Sequence, residues 1–450
     1  MKNNLKTLKH INVFGKRVFV RADLNVINKK TNEISEQRLR AIVPTLRYLQ
    51  QAGVSKIILA SHIGSPKVGV VDDNLSTKRL ILWLEQQGFA VDFQSDLKEA
   101  QKQSIQNNGR LLLLENLRFF PGEKNKDLAF AQQLASLADV YVNDAFGALH
   151  RDDASLVLLA QQFSSDSRCI GLLVEKEIHM LDGLKNNPQQ PFVIVLGGSK
   201  LEDKIALLEC FLAAPPNKFS FLKRSILRYT TPLVLSVLRS KMYRRMRGGT
   251  QDERFWSLKY EVQEKNNCPQ TIIIGGAVAL VFARAQGFSA GALECSEVAV
   301  AHAKKFIALA AEHSVQLVLP SDMLFQHNEK LVPCAFNNIP ADATCGDIGP
   351  ATCKQFVQEL AKAKTIFVNG TMGICEQAAF HAGTKSVLQA AAQSNGTTII
   401  GGGDTGAAVD TLGLHDKFTF VSTGGGATLA FLGACDPMQE LAALHVLCEG

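Results

Sequence analysis

Short runs of apolar residues recur along the chain, and each is followed by a polar or glycine-rich segment and then by a helix-like stretch. Continuous apolar strands that alternate with helices are typical of parallel sheets covered by helices on both faces. The predicted fold class is therefore α/β, with two doubly wound parallel-sheet domains joined by a connecting helix within Cys169–Leu184. The predicted strands are Val18–Val20, Ile57–Ala60, Leu111–Leu114, Val140–Val142, Phe192–Leu196, Thr271–Ile274, Gln316–Leu319, Thr365–Val368, Thr397–Ile400 and Phe418–Val421.

The chemistry at the strand ends differs between the two predicted domains. The strands of the first domain are followed by Arg, His, Asp and Asn, whereas those of the second are followed by Gly, Lys, Asp and Asn. Ligands of doubly wound sheets bind at the carboxyl ends of the strands. We therefore expect the first domain to bind an anionic small molecule through side chains, and the second to bind a nucleotide largely through its backbone.

Two glycine triplets, Gly401–Gly403 and Gly424–Gly426, follow the last two predicted strands. A strand that runs into such a triplet exposes backbone N–H groups, and a helix behind the triplet directs its positive N-terminus to the same point. Asp404 follows the first triplet, where a carboxylate is placed to hold a metal ion beside phosphates. Two tight turns are the plainer interpretation, but the repeated pattern and the acidic residue favour a phosphate site.

Charged and polar side chains of the first domain form a second candidate site. The planar fork of arginine suits phosphate and carboxylate groups, although for any one of these residues alone a surface ion pair is the favoured explanation. Several of these side chains follow predicted strands, which favours anion binding over separate ion pairs. The candidates are Arg21, Asp23, Asn25, Arg38, His62, Arg118 and Arg151.

A pair of lysines follows another glycine-rich strand end. Lys200 and Lys204 come after Gly197 and Gly198, and they share one face if the segment between them is helical. Two ammonium groups aimed at one point suggest charge neutralisation of a transferring phosphoryl group. The alternative is a solvated helix face that also carries Glu202 and Asp203.

Composition narrows the class of protein. The chain has 450 residues, of which 46% are hydrophobic and 20% charged, as expected for a globular enzyme of two or three domains. The N-terminal segment lacks the apolar stretch of a signal peptide, and no run approaches the roughly 18 apolar residues of a spanning helix. The ten cysteines include no CxxC pair, so we expect free thiols and a cytoplasmic location. P-loop and HExxH motifs are absent from the sequence.

Longer motifs resemble phosphoglycerate kinases along nearly the whole chain, outside one insertion. The resemblance implies reversible transfer of the acyl phosphate of 1,3-bisphosphoglycerate to ADP with Mg²⁺, giving 3-phosphoglycerate and ATP. It also implies two Rossmann-like domains that close about a hinge: a triose-phosphate-binding domain at 1–170, onto which the tail 437–450 packs, and a nucleotide-binding domain at 171–436. The motifs are RADLNV, SHIGSPK, LENLRF, VNDAFGALHR, LLVEKE, LGGSKLEDKI, GDIGP, NGTMGICE, GGGDTGAA and STGGGA.

The resemblance also implies roles for individual residues. Lys200 and Arg38 act in catalysis, and Asp404 is associated with the metal. The triose-phosphate ligands are Asp23, Leu24, Asn25, Arg38, His62, Arg118 and Arg151. The nucleotide ligands are Lys200, Lys204, Asn369, Glu376, Gly402, Gly403, Asp404 and Thr405, and the glycines beside the phosphoryl group in flight are Gly403, Gly424 and Gly425. We expect a monomer that acts on small molecules and binds no nucleic acid.

The sequence departs from the family at several positions. Ser65 stands where the family has Arg, and Asp153 stands where it has His, so two cationic contacts are missing and one is replaced by a carboxylate. We therefore expect a raised KM for the triose substrate. The adenosine pocket is also altered at Thr371, Cys375 and the segment 275–279, which leaves the nucleotide preference open.

A basic insertion at about 213–270 is the largest departure. Residues 213–269 contain 12 Lys and Arg against 4 Asp and Glu, whereas the whole chain has a formal net charge of +6. A solvated surface excursion, contact of 218–247 with an anionic membrane surface, and nucleic-acid binding are the alternatives. A catalytically impaired family member that acts as a nucleotide-binding or scaffold protein through this insert remains an alternative, as does a kinase for another small carboxylate. The retained Lys200, Asp404 and Arg38 favour the enzyme.

Overall fold

The computed structural model describes residues 5–27, 32, 34–212, 267–327 and 330–449. The predicted insertion therefore lies outside the described residues up to position 266, and with it the basic segment 218–247. The chain divides into two compact units, one comprising Met1–Gly183 with Ile399–Gly450 and the other Leu184–Thr398. We call them the first and the second unit.

The described strands fall into two parallel sheets and one small antiparallel sheet. In chain order they are β1 (Arg17–Ala22), β2 (Lys56–Ala60), β3 (Val91–Gln94), β4 (Leu111–Leu114), β5 (Val140–Asp144), β6 (Arg168–Ile170), β7 (Phe192–Leu196), β8 (Thr271–Ile274), β9 (Gln316–Val318), β10 (Asp322–His327), β11 (Lys330–Ala335), β12 (Cys345–Ile348), β13 (Thr365–Asn369), β14 (Thr397–Gly401) and β15 (Phe420–Val421). The strand orders are β3-β4-β2-β1-β5-β6, β15-β14-β13-β7-β8-β9 and β11-β10-β12.

Helices connect the strands of both parallel sheets. They are α1 (Glu36–Gln51), α2 (Ile81–Gln86), α3 (Leu97–Ser104), α4 (Pro121–Asn125), α5 (Leu128–Ala135), α6 (Leu158–Gln161), α7 (Leu172–Asn186), α8 (Glu202–Leu212), α9 (Gly276–Ala285), α10 (Glu297–Glu312), α11 (Pro350–Leu360), α12 (Ala382–Ala392), α13 (Gly403–Thr411), α14 (Gly426–Gly433), α15 (Pro437–Glu440) and α16 (Ala442–Cys448). Helix α7 is the predicted connecting helix, so the doubly wound α/β fold is confirmed. Among the residues that the structure describes, no helix has both the length and the apolar character needed to cross a membrane.

Burial explains why the central strands were predictable. Every residue of β2, β4, β5, β7, β8 and β13 is buried, as expected for strands covered on both faces. Strand β3 is only partly buried, and β11 alternates between exposed and half-buried residues, so neither has the continuous apolar run of a central strand. The strand predicted at Phe418–Val421 is shorter, because Phe418 ends a 3₁₀ turn at His415–Lys417 and only the last two residues pair with β14.

The C-terminal helix α16 belongs to the first unit. Its residues Ala443, Leu444, Val446 and Leu447 are buried. The N–H of Ala443 donates to the carbonyl of Leu149 at 3.4 Å. The guanidinium of Arg168 donates to the carbonyl of Glu449. These contacts attach the tail to β6 and to the segment that follows β5.

Candidate active site

The carboxyl ends of four neighbouring strands carry the charged side chains of the first unit. Strands β4, β2, β1 and β5 lie side by side in the sheet, and all are parallel, so their ends meet at one edge. Arg21 lies near the end of β1, and the segments that follow the other three strands bring His62, Arg118 and Arg151 close to it. We call Arg38, Arg118 and Arg151, which surround His62, the arginine cluster.

His62 lies between two arginines. Its Nδ1 is 3.1 Å from Nη2 of Arg21, and its Nε2 is 2.9 Å from Nη1 of Arg151. Burial lowers the pKa of His62 well below its usual value, and Arg21, Arg118 and the other arginines lower it further. A neutral imidazole offers one acceptor nitrogen, so it accepts a hydrogen bond from only one of the two flanking guanidinium groups at a time.

Arg21 is fully buried and faces protein groups instead of a ligand. Its Nε donates to Oγ of Ser155 at 2.7 Å, and Nη2 lies 3.8 Å from Oε1 of Glu123. The Ser155 hydroxyl in turn donates to Oε1 of Glu123 at 2.6 Å. Burial raises the pKa of Glu123, and Arg21 opposes that shift. The sequence grouped Arg21 with the anion ligands, but this network makes it a positioning residue for His62. Glu123 and Ser155 carried no signal in the sequence.

Arg38 and the segment after β1 form a second network. Nη1 of Arg38 lies 3.2 Å from Oδ2 of Asp23, and it donates to the carbonyl of Asn25 at 3.2 Å. Oδ1 of Asn25 accepts the N–H of Gly64 at 2.8 Å, and the N–H of Leu24 donates to Oγ of Ser61 at 2.8 Å. These bonds attach the segment 23–25 to the end of β2. They also hold Arg38, whose side chain is 24% exposed, at the opening of the site.

The two departures at Ser65 and Asp153 meet at Arg118. The guanidinium of Arg118 donates to the carbonyl of Gly64 and, at 3.3 Å, to Oγ of Ser65. Its Nη2 is 3.6 Å from Oδ2 of Asp153, and Oδ1 of Asp153 accepts from Nζ of Lys124 at 2.8 Å. Lys124 is a further charged residue of this site that the sequence did not indicate.

The second glycine triplet also belongs to the first unit. Gly425 has a φ of +55° and precedes α14, and a Cβ on it would lie 3.9 Å from Nη2 of Arg38. Gly402 has a φ of +98° and precedes α13, which places both helix N-termini directly behind left-handed glycines. The predicted glycine sites at 424 and 425 and the predicted ligand Arg38 are therefore neighbours.

Glu177 of α7 holds the turn that leads into α14. Its Oε1 accepts from the backbone N–H of Thr423 at 2.7 Å and from the hydroxyl of the same residue at 2.9 Å. Its Oε2 accepts from Oγ of Ser422 at 2.8 Å. Burial raises the pKa of Glu177 to about 7, although these hydrogen bonds oppose the shift. The sequence placed Glu177 in a connecting helix but gave it no role.

Asp404 lies in the first turn of α13 and is exposed. Thr405, the next residue, is buried. No group of three His, Cys, Asp or Glu side chains suited to a metal lies within the described part of the chain. One exposed carboxylate at a helix N-terminus fits a magnesium ion that takes its other ligands from nucleotide phosphates and water, which is the usual protein environment of Mg²⁺.

Glycines of the second unit bring strand-end loops into backbone contact. The N–H of Gly197 donates to the carbonyl of Asn369 at 2.9 Å, and that of Gly198 donates to the carbonyl of Thr371 at 2.7 Å. A Cβ on Gly197 would overlap the Thr371 carbonyl oxygen and lie 2.8 Å from its carbon. Glycine is therefore required at position 197 by the close approach of the loops after β7 and β13.

The two candidate lysines differ in position. The helix premise for them is wrong, because α8 begins at Glu202, so Lys200 precedes the helix and only Lys204 lies in it. Lys200 is exposed, whereas Lys204 is buried and its Nζ donates to the carbonyl of Lys200 at 3.1 Å. Lys204 thus shapes the loop, and Lys200 presents a solvent-accessible ammonium group.

The loop after β13 carries the remaining predicted nucleotide ligands. Asn369 ends β13 and is buried, while Glu376 is exposed. Oγ1 of Thr371 donates to the carbonyl of Gly373 at 2.9 Å, and Sγ of Cys375 donates to Oγ1 of Thr384 at 3.5 Å. The two altered residues, Thr371 and Cys375, are thus engaged in local hydrogen bonds of this loop.

Comparisons with known proteins agree with this architecture. The sequence profile of the phosphoglycerate kinase family matches residues 8–216 and 261–434. A phosphoglycerate kinase of Clostridium tetani is 36% identical over 439 residues, which cover 95% of each chain. The solved phosphoglycerate kinases from Coxiella burnetii and Pyrococcus horikoshii OT3 cover 98% of this chain and match it over 98% of theirs, with TM-scores of 0.74 and 0.73 and identities of 29% and 27%.

The fold and these matches define a phosphotransferase with two parallel-sheet α/β domains. The chain belongs to the phosphoglycerate kinase family. The resemblance seen in the sequence is therefore confirmed. The family profile passes over residues 217–260, which fall within the segment predicted to be an insertion.

Proposed function

We propose that the chain catalyses the reversible, Mg²⁺-dependent transfer of the acyl phosphate of 1,3-bisphosphoglycerate to ADP, giving 3-phosphoglycerate and ATP. The observation that carries the proposal is the position of Arg38, beside both the Asp23–Asn25 segment and the glycine turn at the start of α14. A guanidinium and a helix N-terminus at one point suit an oxyanion in transfer. The retained Lys200 and Asp404 favour this enzyme over a catalytically impaired scaffold protein.

The arginine cluster binds the triose. Arg118 and Arg151 contact its phosphate, and neutral His62 supplies a hydrogen bond without adding charge. Asp23 and Asn25 bind its hydroxyl and carboxyl end, and Leu24 fixes the backbone between them. Arg38 then faces the acyl phosphate and neutralises charge that develops during transfer. Such a transfer needs positioning and electrostatic stabilisation but no covalent nucleophile.

The glycine loops and their lysines bind the nucleotide. Lys200 follows the phosphoryl group, Lys204 and Thr405 contact nucleotide phosphates, Asn369 and Glu376 lie on the nucleoside side, and Gly402, Gly403, Gly424 and Gly425 approach the phosphates through their backbone. A magnesium ion held by Asp404 would supply charge neutralisation to the phosphate oxygens. Residues 1–170 with 437–450 serve as the triose domain and 171–436 as the nucleotide domain, and we expect the enzyme to act as a cytoplasmic monomer.

The function is tested by measuring ATP formation from ADP, Mg²⁺ and enzymatically generated 1,3-bisphosphoglycerate. Lys200→Ala is expected to lower kcat about a hundredfold or more, because one charge-stabilising group is removed from the transferring phosphoryl. The matched control is Lys304→Ala, which removes an exposed lysine of α10. Turnover that survives the Lys200 change, or a wild-type chain that forms no ATP, would contradict the proposal.

The basic segment 218–247 is proposed to contact anionic membrane surfaces. Its support is sequence alone: residues 218–247 contain nine basic residues and no acidic one. The measurement is co-sedimentation with phosphatidylserine vesicles at low salt. A chain that stays in the supernatant with these vesicles would leave a solvated surface excursion as the explanation.

A further inference from the structure

A carboxylate is buried within the arginine cluster. The side chain of Asp153 is only 4% exposed, and its partners Arg118 and Lys124 are 8% and 42% exposed. A ligand anion that binds Arg118 must therefore approach a negative charge that the protein already holds there. Because burial limits screening by salt, this charge acts on a ligand more strongly than a surface carboxylate does.

The two carboxylate oxygens of Asp153 lie at different distances from their cationic partners. Oδ1 is 2.8 Å from Nζ of Lys124, which is a full charged hydrogen bond, whereas Oδ2 is 3.6 Å from Nη2 of Arg118. Among the described residues, Oδ2 of Asp153 and Nε of Arg118 are both buried without a hydrogen-bond partner. Lys124 therefore anchors the carboxylate, and Arg118 keeps unused hydrogen-bonding capacity.

Within the described parts of the chain, Asp153 is the acidic residue that pairs with Arg118. The other contacts of Arg118 are the neutral Gly64 carbonyl and Ser65 hydroxyl. Burial lowers the pKa of Arg118 and Arg151 lowers it further, while Asp153 has the opposing effect. The geometry thus describes an anion site whose own carboxylate competes with the ligand for one guanidinium.

We propose that Asp153 is an internal competing anion that weakens binding of the phosphorylated triose, and that Lys124 limits this competition by drawing the carboxylate away from Arg118. The inference rests on the proposed function for the identity of the ligand. Asp153 is a specificity-determining residue under this proposal, and Lys124 acts through it as a positioning residue. Both effects fall on triose affinity and leave nucleotide affinity unchanged.

The first test is titration calorimetry of the full chain with 3-phosphoglycerate at fixed ionic strength. Asp153→Asn is expected to tighten binding about tenfold, the lower range for one charged interaction. Asp153→Ser removes the same charge with a different side chain and must change affinity in the same direction. The matched control is Asp152→Asn, because Asp152 is the adjacent carboxylate but sits in an exposed ion pair with Lys126. That control is expected to change affinity less than about twofold.

The second test separates the role of Lys124 from a direct contact with the ligand. Lys124→Met is expected to weaken binding several-fold in the wild-type chain and to have no effect in the Asp153→Asn background, because its action passes through the carboxylate. Lys126→Met, which breaks the neighbouring exposed pair, serves as its control. Equal weakening in both backgrounds would overturn the proposed role of Lys124.

The inference would be overturned if both Asp153 substitutions left the affinity for 3-phosphoglycerate unchanged or weakened it. It would also be overturned if neither the wild-type chain nor the Asp153→Asn variant bound 3-phosphoglycerate. The assay needs no turnover, so the proposed function is judged separately by ATP formation. A chain that binds 3-phosphoglycerate more tightly without Asp153 but forms no ATP would support the inference and refute the function.

Discussion

Under the proposed function, two groups of strand ends bind anions by opposite means. At the ends of β1, β2, β4 and β5 the candidate ligand groups are side chains, and their geometry depends on pairs such as Arg38 with Asp23 and Arg118 with Asp153. In the second unit the loops around Gly197 and Gly198 are fixed by backbone hydrogen bonds to Asn369 and Thr371. A side-chain site changes its affinity through single substitutions that leave the fold intact. A backbone site changes only when the loops themselves are displaced.

The chain departs from its family in both regions, but with different consequences. The replacements at Ser65 and Asp153 both lie beside Arg118: the Ser65 hydroxyl accepts a hydrogen bond from it, and Asp153 is paired with it at 3.6 Å and with Lys124 at 2.8 Å. The backbone glycines at 197 and 198 are retained. The loop after β13 departs from the family at Thr371 and Cys375, but the backbone hydrogen bonds between that loop and Gly197 and Gly198 do not depend on those side chains.

The largest expected effect comes from forcing a side chain into the backbone site. Gly197→Ala places a Cβ against the Thr371 carbonyl, so the loops must separate. We expect the free energy of unfolding to fall by about 1–3 kcal/mol and ATP formation to fall about a hundredfold, because a shift of this size misplaces the phosphates. Urea denaturation and initial-rate kinetics measure the two effects. The control is Gly183→Ala in α7, where an added Cβ meets nothing within 4 Å.

An unchanged rate of ATP formation in the Gly197→Ala variant would contradict the distinction between a side-chain site and a backbone site. It would mean that the loops tolerate displacement and that the nucleotide site does not depend on backbone contact.

A smaller effect is expected from restoring the family residues in the side-chain site. The Ser65→Arg, Asp153→His double variant adds two cationic donors around Arg118 and removes a carboxylate. We expect the KM for the triose substrate to fall about ten- to a hundredfold, while the KM for ADP and the free energy of unfolding change little. Initial rates over a range of triose concentrations measure this. Saturation curves that superimpose on those of the wild type would show that neither position faces the substrate.

The smallest expected effect concerns Glu177, where a side chain holds a backbone turn. Its pKa is raised by burial from the usual 4.5 to about 7, so the carboxyl is more readily protonated in the folded state. The stability it contributes is present below pH 4.5 and is lost as the pH rises through about 7. The free energy of unfolding of the wild type is expected to fall between pH 5 and pH 8. In the Glu177→Gln variant this fall is expected to be smaller by about 1–2 kcal/mol.

Urea denaturation at the two pH values tests this expectation. The control is Glu175→Gln, because Glu175 lies two positions earlier in the same helix and is only half-buried. Parallel pH profiles for the Glu177 variant and the wild type would show that this carboxyl does not titrate with folding.

The sequence predicts the parts of the fold that are buried on both faces. Strands β4, β7 and β8 have the predicted bounds, because their apolar runs are uninterrupted. The edge strand β6 and the antiparallel strand β11 were not predicted, because they lack an uninterrupted apolar run: β6 begins with Arg168, and β11 alternates between exposed and half-buried residues. Strand β6 has only 3 residues, and β11 pairs with its neighbour β10 without a continuous apolar run, so neither matches the pattern of a central strand.

Site residues divide in a similar way. Arg38, His62 and Arg118 were predictable because each belongs to a motif near a strand or helix that carries it. Glu123, Lys124 and Ser155 were not, because their roles arise from contacts across about thirty positions of chain. The spacing of Lys200 and Lys204 left open whether the segment between them is helical, and the observed start of α8 at Glu202 shows that spacing does not locate a helix N-terminus.

The placement of His62 between Arg21 and Arg151 has a spectroscopic consequence. With one proton shared between two ring nitrogens, the imidazole exists as one of two tautomers, each of which leaves a different arginine without its acceptor. A ligand that draws Arg151 away removes the competition at Nε2 and selects the tautomer that accepts from Arg21 at Nδ1. Under the proposed function, the nitrogen chemical shifts of this single ring register whether the triose is bound.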